Sequence, residues 1–372
     1  MRQCCLESHN YKEKLHELFC AGKYSKVFLV CGRSAQKLDI FQWLHAEVET
    51  LGGRVIIFRE FEPNPRYSSV ELGINRFISN DCDIIMAVGG GSAIDVAKCV
   101  KLGLEIKRED GQLVRSVHVH NAPLIAVPTT AGTGSEVTQF AVIYYEGEKQ
   151  SVSHPAIVPE YVVLDENNLR TLPAGQRKVT VLDALSHAIE SMWSVHSCDE
   201  SCEYAERAIR RIVCNMDRYV RGNGAEKELL IAANEAGKAI NFTKTTAAHA
   251  MCYKLTSLYG IPHGRAVMLC LPELWEYMCL HMDRCADIRG KEFLEEQFER
   301  IAACLGQLTV KASIEFLKQL RKDWDLEFSR EIRDDEINLL VSAVNVERLS
   351  NNPVELTKED LRELYWRILK EG

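Results

Sequence analysis

Short β-rich runs alternate with amphipathic helical stretches through the first half of the chain and then stop; this change constrains the fold more than any single motif. The runs are Lys26–Cys31, Arg54–Phe58, Asp83–Val88, Leu124–Val127 and Tyr161–Leu164, with helical patterns at Ala35–Leu51 and Tyr67–Ser79. Such alternation predicts a mostly parallel sheet covered on both faces. Phe140–Tyr145 and Gln150–Val152 read as an antiparallel excursion turning at Glu146–Gly147. Beyond Leu172-Pro173 amphipathic helical patterns dominate: Ser201–Tyr219, Lys227–Ile240, Phe293–Cys304 and Leu308–Trp324. Thr357 with Asp360 marks the start of a last helix. We expect an α/β nucleotide-binding domain over 1–173 and an all-α, metal- and substrate-binding domain over 174–372. The cleft between them is the default site.

A chain of 372 residues is long enough for two cores. Its net charge of -8 argues against a general nucleic-acid or anionic-membrane binder, because both need a dominant basic surface. Met1–Asn10 hold no apolar run behind a positive flank, and no stretch approaches the roughly 20 apolar residues of a membrane span. The 14 cysteines include no CxxC pair, so neither a zinc knuckle nor a disulfide framework is expected. These features predict a cytoplasmic protein with reduced, mostly buried thiols.

Two loops offer phosphate chemistry. The buried-strand pattern Ile84–Val88 runs into Gly89-Gly90-Gly91-Ser92, and a helix with the period Ile94, Ala97, Val100 follows. Glycines let the backbone approach a ligand closely, and N–H groups at a new helix start favour an anion such as a pyrophosphate. Taken alone, the turn serves a chain reversal equally well. The second loop, Pro128 to Glu136, carries Thr129, Thr130, Thr133 and Ser135 with two glycines. So many small donors in one short loop suit phosphates, riboses or a nicotinamide amide.

Asp183 and His187 stand four apart on a helical stretch and share one face. His249 lies in the run Thr246–Leu255, and His263 follows Tyr259-Gly260-Ile261-Pro262, where Gly and Pro end one helix. One carboxylate and three imidazoles suit Fe(II), Zn(II) or a related ion. Spacing alone does not bring the two pairs together.

Together these motifs resemble the iron-dependent (group III) alcohol dehydrogenase family. The matching segments are Gly89–Ser92 with Asp95 and Lys98, Pro128–Thr138, Asp183–Glu190, His249, Tyr259–Gly264 and Asn351-Asn352-Pro353. They run in the family's order over nearly the whole chain. The resemblance implies Asp183, His187, His249 and His263 as ligands of one divalent ion, Fe2+ ahead of Zn2+. It implies a nicotinamide cofactor on Gly89–Ser92, with Asp95, and on Thr129–Thr133, with Ser135. Lys149 matches a lysine near the cofactor. The implied reaction is reduction of a small aldehyde to a primary alcohol, in a homodimer.

The chain departs from the family's usual pattern twice. Many members carry a histidine one turn after the ligand that His249 matches, suited to proton relay, where this chain has Tyr253. After the first strand, NAD-preferring members often place an acidic residue. Gly32-Arg33-Ser34 stands there instead, so Arg33 is expected to pair with a 2′-phosphate and NADPH to be preferred over NADH.

The segment before His249 is individual too: Lys244-Thr245-Thr246 brings charge and two hydroxyls, suited to a tetrahedral oxyanion. Lys254 and Arg265 are further candidates for the substrate pocket. The variant resembles phosphonoacetaldehyde reductases, which implies an anionic aldehyde. Two other readings are a group III enzyme for neutral aldehydes and a lyase similar to dehydroquinate synthase. A third is a non-enzymatic protein on the same fold, which would be expected to have lost some of these residues.

Overall fold

A computed structural model describes residues 3–109, 112–328, 330, 332–344 and 346–371. The chain divides into two compact units, Met1–Leu172 and Pro173–Gly372.

In the first unit the elements run β1 (Cys4–Glu7), α1 (Tyr11–Gly22), β2 (Lys26–Cys31), α2 (Asp39–Thr50), β3 (Arg54–Phe58), α3 (Tyr67–Ser79), β4 (Ile84–Gly89), α4 (Gly91–Leu102), β5 (Leu104–Glu109), β6 (Gln112–Val117), β7 (Leu124–Pro128), β8 (Phe140–Tyr145), β9 (Glu148–Ser153) and β10 (Tyr161–Leu164). Six strands form a parallel sheet in the order β1-β10-β7-β4-β2-β3. β5–β6 and β8–β9 are antiparallel hairpins, the second as expected from the sequence.

Strand β2 shows why the sheet is covered twice. Val27, Leu29 and Cys31 pack with Leu15, Phe19, Phe41 and Leu44 on one face. Phe28 and Val30 pack with Phe58, Phe77, Ile94 and Ala97 on the other. A strand buried on both faces reads as a continuous apolar run, which is how it is visible in the sequence.

The chain goes outward from β2 to β3 and then returns past β2 to β4. The strand order therefore reverses between β2 and β4, and the crevice at the carboxyl ends of such a pair is where open α/β sheets bind ligands. Gly32–Arg33 leave the end of β2 and Gly89–Ser92 the end of β4.

The second unit is helical: α5 (Ala174–Trp193), α6 (Asp199–Val220), α7 (Glu226–Thr243), α8 (Ala247–Tyr259), α9 (His263–Leu280), α10 (Lys291–Cys304), α11 (Val310–Asp323), α12 (Asp334–Ser342), α13 (Val346–Leu349) and α14 (Lys358–Trp366). Val181–Trp193 of α5 is buried throughout, as befits a helix that packs against α6, α7 and α9. Thr357 and Asp360 form the capping box of α14. No described helix is long and apolar enough to cross a membrane.

Candidate metal centre and cofactor loops

Asp183 and His187, one turn apart on α5, put Asp183 Oδ1 3.8 Å from His187 Nε2. His249, in the first turn of α8, brings its Nε2 to 3.5 Å from the same oxygen, and His263 Nε2 stands at 3.7 Å. The His187 and His249 rings stack at 4.6 Å, and His263 meets His249 nearly edge-on. Asp183, His249 and His263 present ligand atoms all within 4.8 Å of one another. The four residues that the resemblance implies as ligands thus converge on one carboxylate oxygen.

His263 reaches this point because α9 starts against α5. Gly260 ends α8 in the left-handed region (φ 68°), Pro262 caps α9, and His263 is its first residue. Gly264 follows, and a Cβ there would fall 1.8 Å from the Val179 carbonyl oxygen. Only a glycine lets the two backbones approach this closely.

The donor set fits a cation. Asp183 Oδ1 and His249 Nε2 are buried and make no hydrogen bond among the described residues, although buried polar atoms are ordinarily paired. Burial pushes the Asp183 carboxyl up, yet the His187, His263 and His249 imidazoles outweigh it and hold the group well below its usual range. Burial likewise opposes charge on His249, but the Glu190 and Asp183 carboxylates lift its pKa to about 9. A site that attracts a proton so strongly attracts a divalent cation for the same electrostatic reason. The His263 side chain is 36% exposed against 6% for Asp183, so the cluster opens on the His263 side.

Glu190 belongs to this centre and was given no role from the sequence. It is fully buried, accepts from His249 Nδ1, and accepts from Thr246 N at 3.1 Å and Thr246 Oγ1 at 2.7 Å. The signal was present: Asp183, His187 and Glu190 recur at i, i+4 and i+7, one stripe of a helix.

Lys244 follows α7 with φ 58° and ψ −175°, a backbone conformation that non-glycine residues seldom adopt. Its surroundings enforce it. Thr243 Oγ1 donates to the Lys244 carbonyl at 2.8 Å, Ser194 Oγ to the Thr243 carbonyl at 3.1 Å, and Asn351 Nδ2 to the Thr245 carbonyl at 3.0 Å. Thr246 Oγ1 accepts from Trp193 Nε1 at 2.9 Å and donates to Glu190, so its proton is already engaged by the scaffold. Arg265 is spent elsewhere as well: its guanidinium holds the Leu326 and Glu327 carbonyls. Lys254 is half-buried on α8 and makes no ion pair among the described residues. The Tyr253 ring lies parallel to that of His263 at 5.9 Å. Burial raises the phenol's pKa well above the ordinary value.

In the α/β unit the two expected phosphate loops pack on each other. A Cβ on Gly90 would stand 3.2 Å from Thr130 Oγ1, and one on Gly91 would stand 2.9 Å from the Thr133 methyl. Thr129 N donates to the Gly89 carbonyl at 3.0 Å. The start of α4 has no side-chain cap, and the Ala93 and Ile94 N–H groups turn to the Gly90 carbonyl. Asp95 and Ser135 work behind this surface. Ser135 Oγ donates to Asp95 Oδ1 at 2.7 Å, and the other Asp95 oxygen accepts from Val142 N. Lys98, fully buried, donates to Ser135 Oγ, the Thr138 carbonyl and the Phe140 carbonyl. Burial lowers its pKa to about 8 against the opposing pull of Asp95 and Glu136. Lys149 lies on β9 within electrostatic reach of Asp95. Arg33 is exposed in the 3-10 turn after β2.

Residues 8–166 match the model of the iron-containing alcohol dehydrogenases, and residues 178–369 match that of the C-terminal domain of the same family. Aldehyde-alcohol dehydrogenase 2 of Entamoeba histolytica is 31% identical over 73% of this chain, which spans 32% of that longer protein. Phosphonoacetaldehyde reductase of Streptomyces viridochromogenes is 29% identical over 76% of this chain and 75% of its own. An iron-containing alcohol dehydrogenase from Thermotoga maritima superposes with a TM-score of 0.83 at 27% identity, covering 99% of this chain and 98% of that one. Fold and both family models lead to one conclusion: the chain belongs to the iron-containing alcohol dehydrogenase family.

Proposed function

We propose that this protein reduces a small anionic aldehyde to the primary alcohol with NAD(P)H and a divalent metal, phosphonoacetaldehyde to 2-hydroxyethylphosphonate being the leading reaction. The observation that carries the chemistry is the convergence of three imidazoles on Asp183 Oδ1, with two buried atoms there lacking hydrogen bonds among the described residues. Asp183, His187, His249 and His263 would hold the ion, Fe(II) by assignment, with Zn(II) accepted by the same donors. When bound, the ion supplies Lewis acidity to a carbonyl oxygen, and the nicotinamide supplies hydride.

The chain's own residues divide the remaining work. The Gly89–Ser92 amides, with Thr129, Thr130 and Thr133, take the cofactor phosphates and amide, while Asp95, Lys98 and Ser135 keep that loop in shape. Lys149 stands by the cofactor. Arg33, at the strand-order reversal, pairs with a 2′-phosphate, favouring NADPH. Tyr253, its ring beside that of His263, delivers the proton that completes the alcohol.

Lys244 supports the anionic substrate. A lysine held where glycine is favoured costs roughly 1–3 kcal/mol and persists where the side chain is used. The relative named for phosphonoacetaldehyde reduction supports the same class. NADPH oxidation by the Fe(II)-loaded protein, with phosphonoacetaldehyde against propionaldehyde and lactaldehyde, tests the proposal. Strong preference for the phosphonate is expected. Turnover of the neutral aldehydes alone removes the anionic substrate, and no oxidation with any of them removes the reductase reading.

A further inference from the structure

We infer that Glu190 is the positioning residue of the metal centre: it selects the His249 tautomer that leaves Nε2 free for the ion, and it anchors the turn carrying Lys244. The inference rests on the reading that Asp183, His187, His249 and His263 hold a metal.

Among the described residues this carboxylate faces two backbone N–H groups, one hydroxyl and one imidazole nitrogen. Oε2 accepts from His249 Nδ1, while Oε1 accepts from Thr246 N at 3.1 Å, Thr246 Oγ1 at 2.7 Å and His249 N at 3.3 Å. An ionised carboxylate only accepts, so in the neutral ring that binds an ion the proton stays on Nδ1 and the lone pair on Nε2, the atom facing Asp183 at 3.5 Å. The same group completes α8. Thr246 is the N-cap of that helix, yet its side chain makes no capping bond. Glu190 takes the N–H groups of Thr246 and His249 in its place, and its negative charge lies at the positive end of the helix dipole. One oxygen therefore fixes the backbone of the ligand-bearing turn and the other fixes the ligand's ring. Because Thr246 is bound, the Lys244–Thr245 backbone has no freedom to relax its unusual geometry.

A glutamine cannot replace this acid. With its oxygen towards Thr246, its amide N–H faces Nδ1 and drives the ring proton to Nε2, where the ion must bind. With its oxygen towards the ring, the amide meets the N–H groups of Thr246 and His249, donor against donor. The shape is kept and the logic is lost.

The test is Co(II) affinity of the full chain by chelator competition, for wild type, Glu190→Gln, His249→Gln and the double variant. Glu190→Gln should weaken binding about 10–100-fold in the otherwise native chain. With His249 already replaced, the same change should cost less than about twofold, since there is no ring left to orient. In the Zn(II)-loaded native protein, 15N-histidine spectra should place the His249 proton on Nδ1, a reading that needs no variant to fold. Unchanged affinity of Glu190→Gln, equal losses in both backgrounds, or a proton on Nε2 overturns the inference. Folded native protein that binds no Co(II) overturns instead the metal reading beneath it.

Discussion

Gly264 and Val179 are in backbone contact: a methyl group on the glycine would lie 1.8 Å from the Val179 carbonyl oxygen and 2.8 Å from its carbonyl carbon. This contact sets where α9 begins, and so where His263 stands. Gly264→Ala must push α9 away from α5. We expect a loss of about 1–3 kcal/mol in denaturant unfolding, as for other overpacked sites, and weaker metal binding. Equal metal affinity in the alanine variant would show that His263 is not held by this contact.

The pKa of about 9 at His249 gives metal binding a pH dependence. Below that value the ring carries a proton that the ion must displace, so affinity rises about tenfold per pH unit and levels off above it. Metal-stripped protein should show the opposite trend in stability. A pKa raised above the ordinary 6.5 contributes stability that is fully present below pH 6.5 and is lost as pH climbs through about 9. Chelator competition and urea unfolding across pH 6–10 measure both slopes. Parallel slopes would contradict the assignment.

Lys244→Gly separates strain from specificity. Relief of the positive φ should stabilise the fold by roughly 1–3 kcal/mol. Loss of the ammonium should raise KM for a phosphonate aldehyde about 10–100-fold while leaving a neutral aldehyde almost unaffected. A variant that is less stable, or that weakens both substrates equally, argues against a substrate role for this lysine.

Tyr253→Phe keeps the ring beside His263 and removes only the hydroxyl. If the phenol is the acid, kcat falls by at least ~10²-fold with little change in metal content. Unchanged kcat assigns Tyr253 to packing.

Arg33→Asp should reverse the coenzyme preference, lowering kcat/KM for NADPH and raising it for NADH, because the new carboxylate repels a 2′-phosphate and accepts from a ribose hydroxyl. Steady-state kinetics with the two coenzymes decides it.

How much of this was legible beforehand depends on whether a residue's role is local. The buried strands were, since Val27–Cys31 and Ile84–Val88 are apolar on both faces. Strand β1 was not: Cys4–Glu7 has no apolar alternation and is a strand only because β10 lies beside it. The strand pair Leu104–Glu109 and Gln112–Val117 escaped too, its second strand being largely exposed. Ala35–Leu51 reads as one helix, but a 3-10 turn over Arg33–Lys37 comes first and Leu38 is extended, so the helix starts at Asp39. At the site, the helical stripe on α5 was visible. The approach of α8 and α9 to it depends on Gly264 and on Glu190, contacts made across helices that no spacing rule contains. Residue type also misled where long-range partners intervene. Arg265 and Thr246 carry suitable chemistry, and carbonyls at Leu326 and Glu327 and the Glu190 carboxylate claim it first.

Lys98 gives the α/β unit a property that its loops alone would not have. Its ammonium is inside the protein, joined to Ser135, Thr138 and Phe140 from a helix that starts at Gly91. A segment so rich in glycine and small hydroxyl residues would ordinarily sample many shapes and lose that freedom when a nucleotide arrived. Here the freedom is surrendered during folding. For the proposed cofactor site this means that a nucleotide need not order the loop on binding, which removes that part of the cost of association.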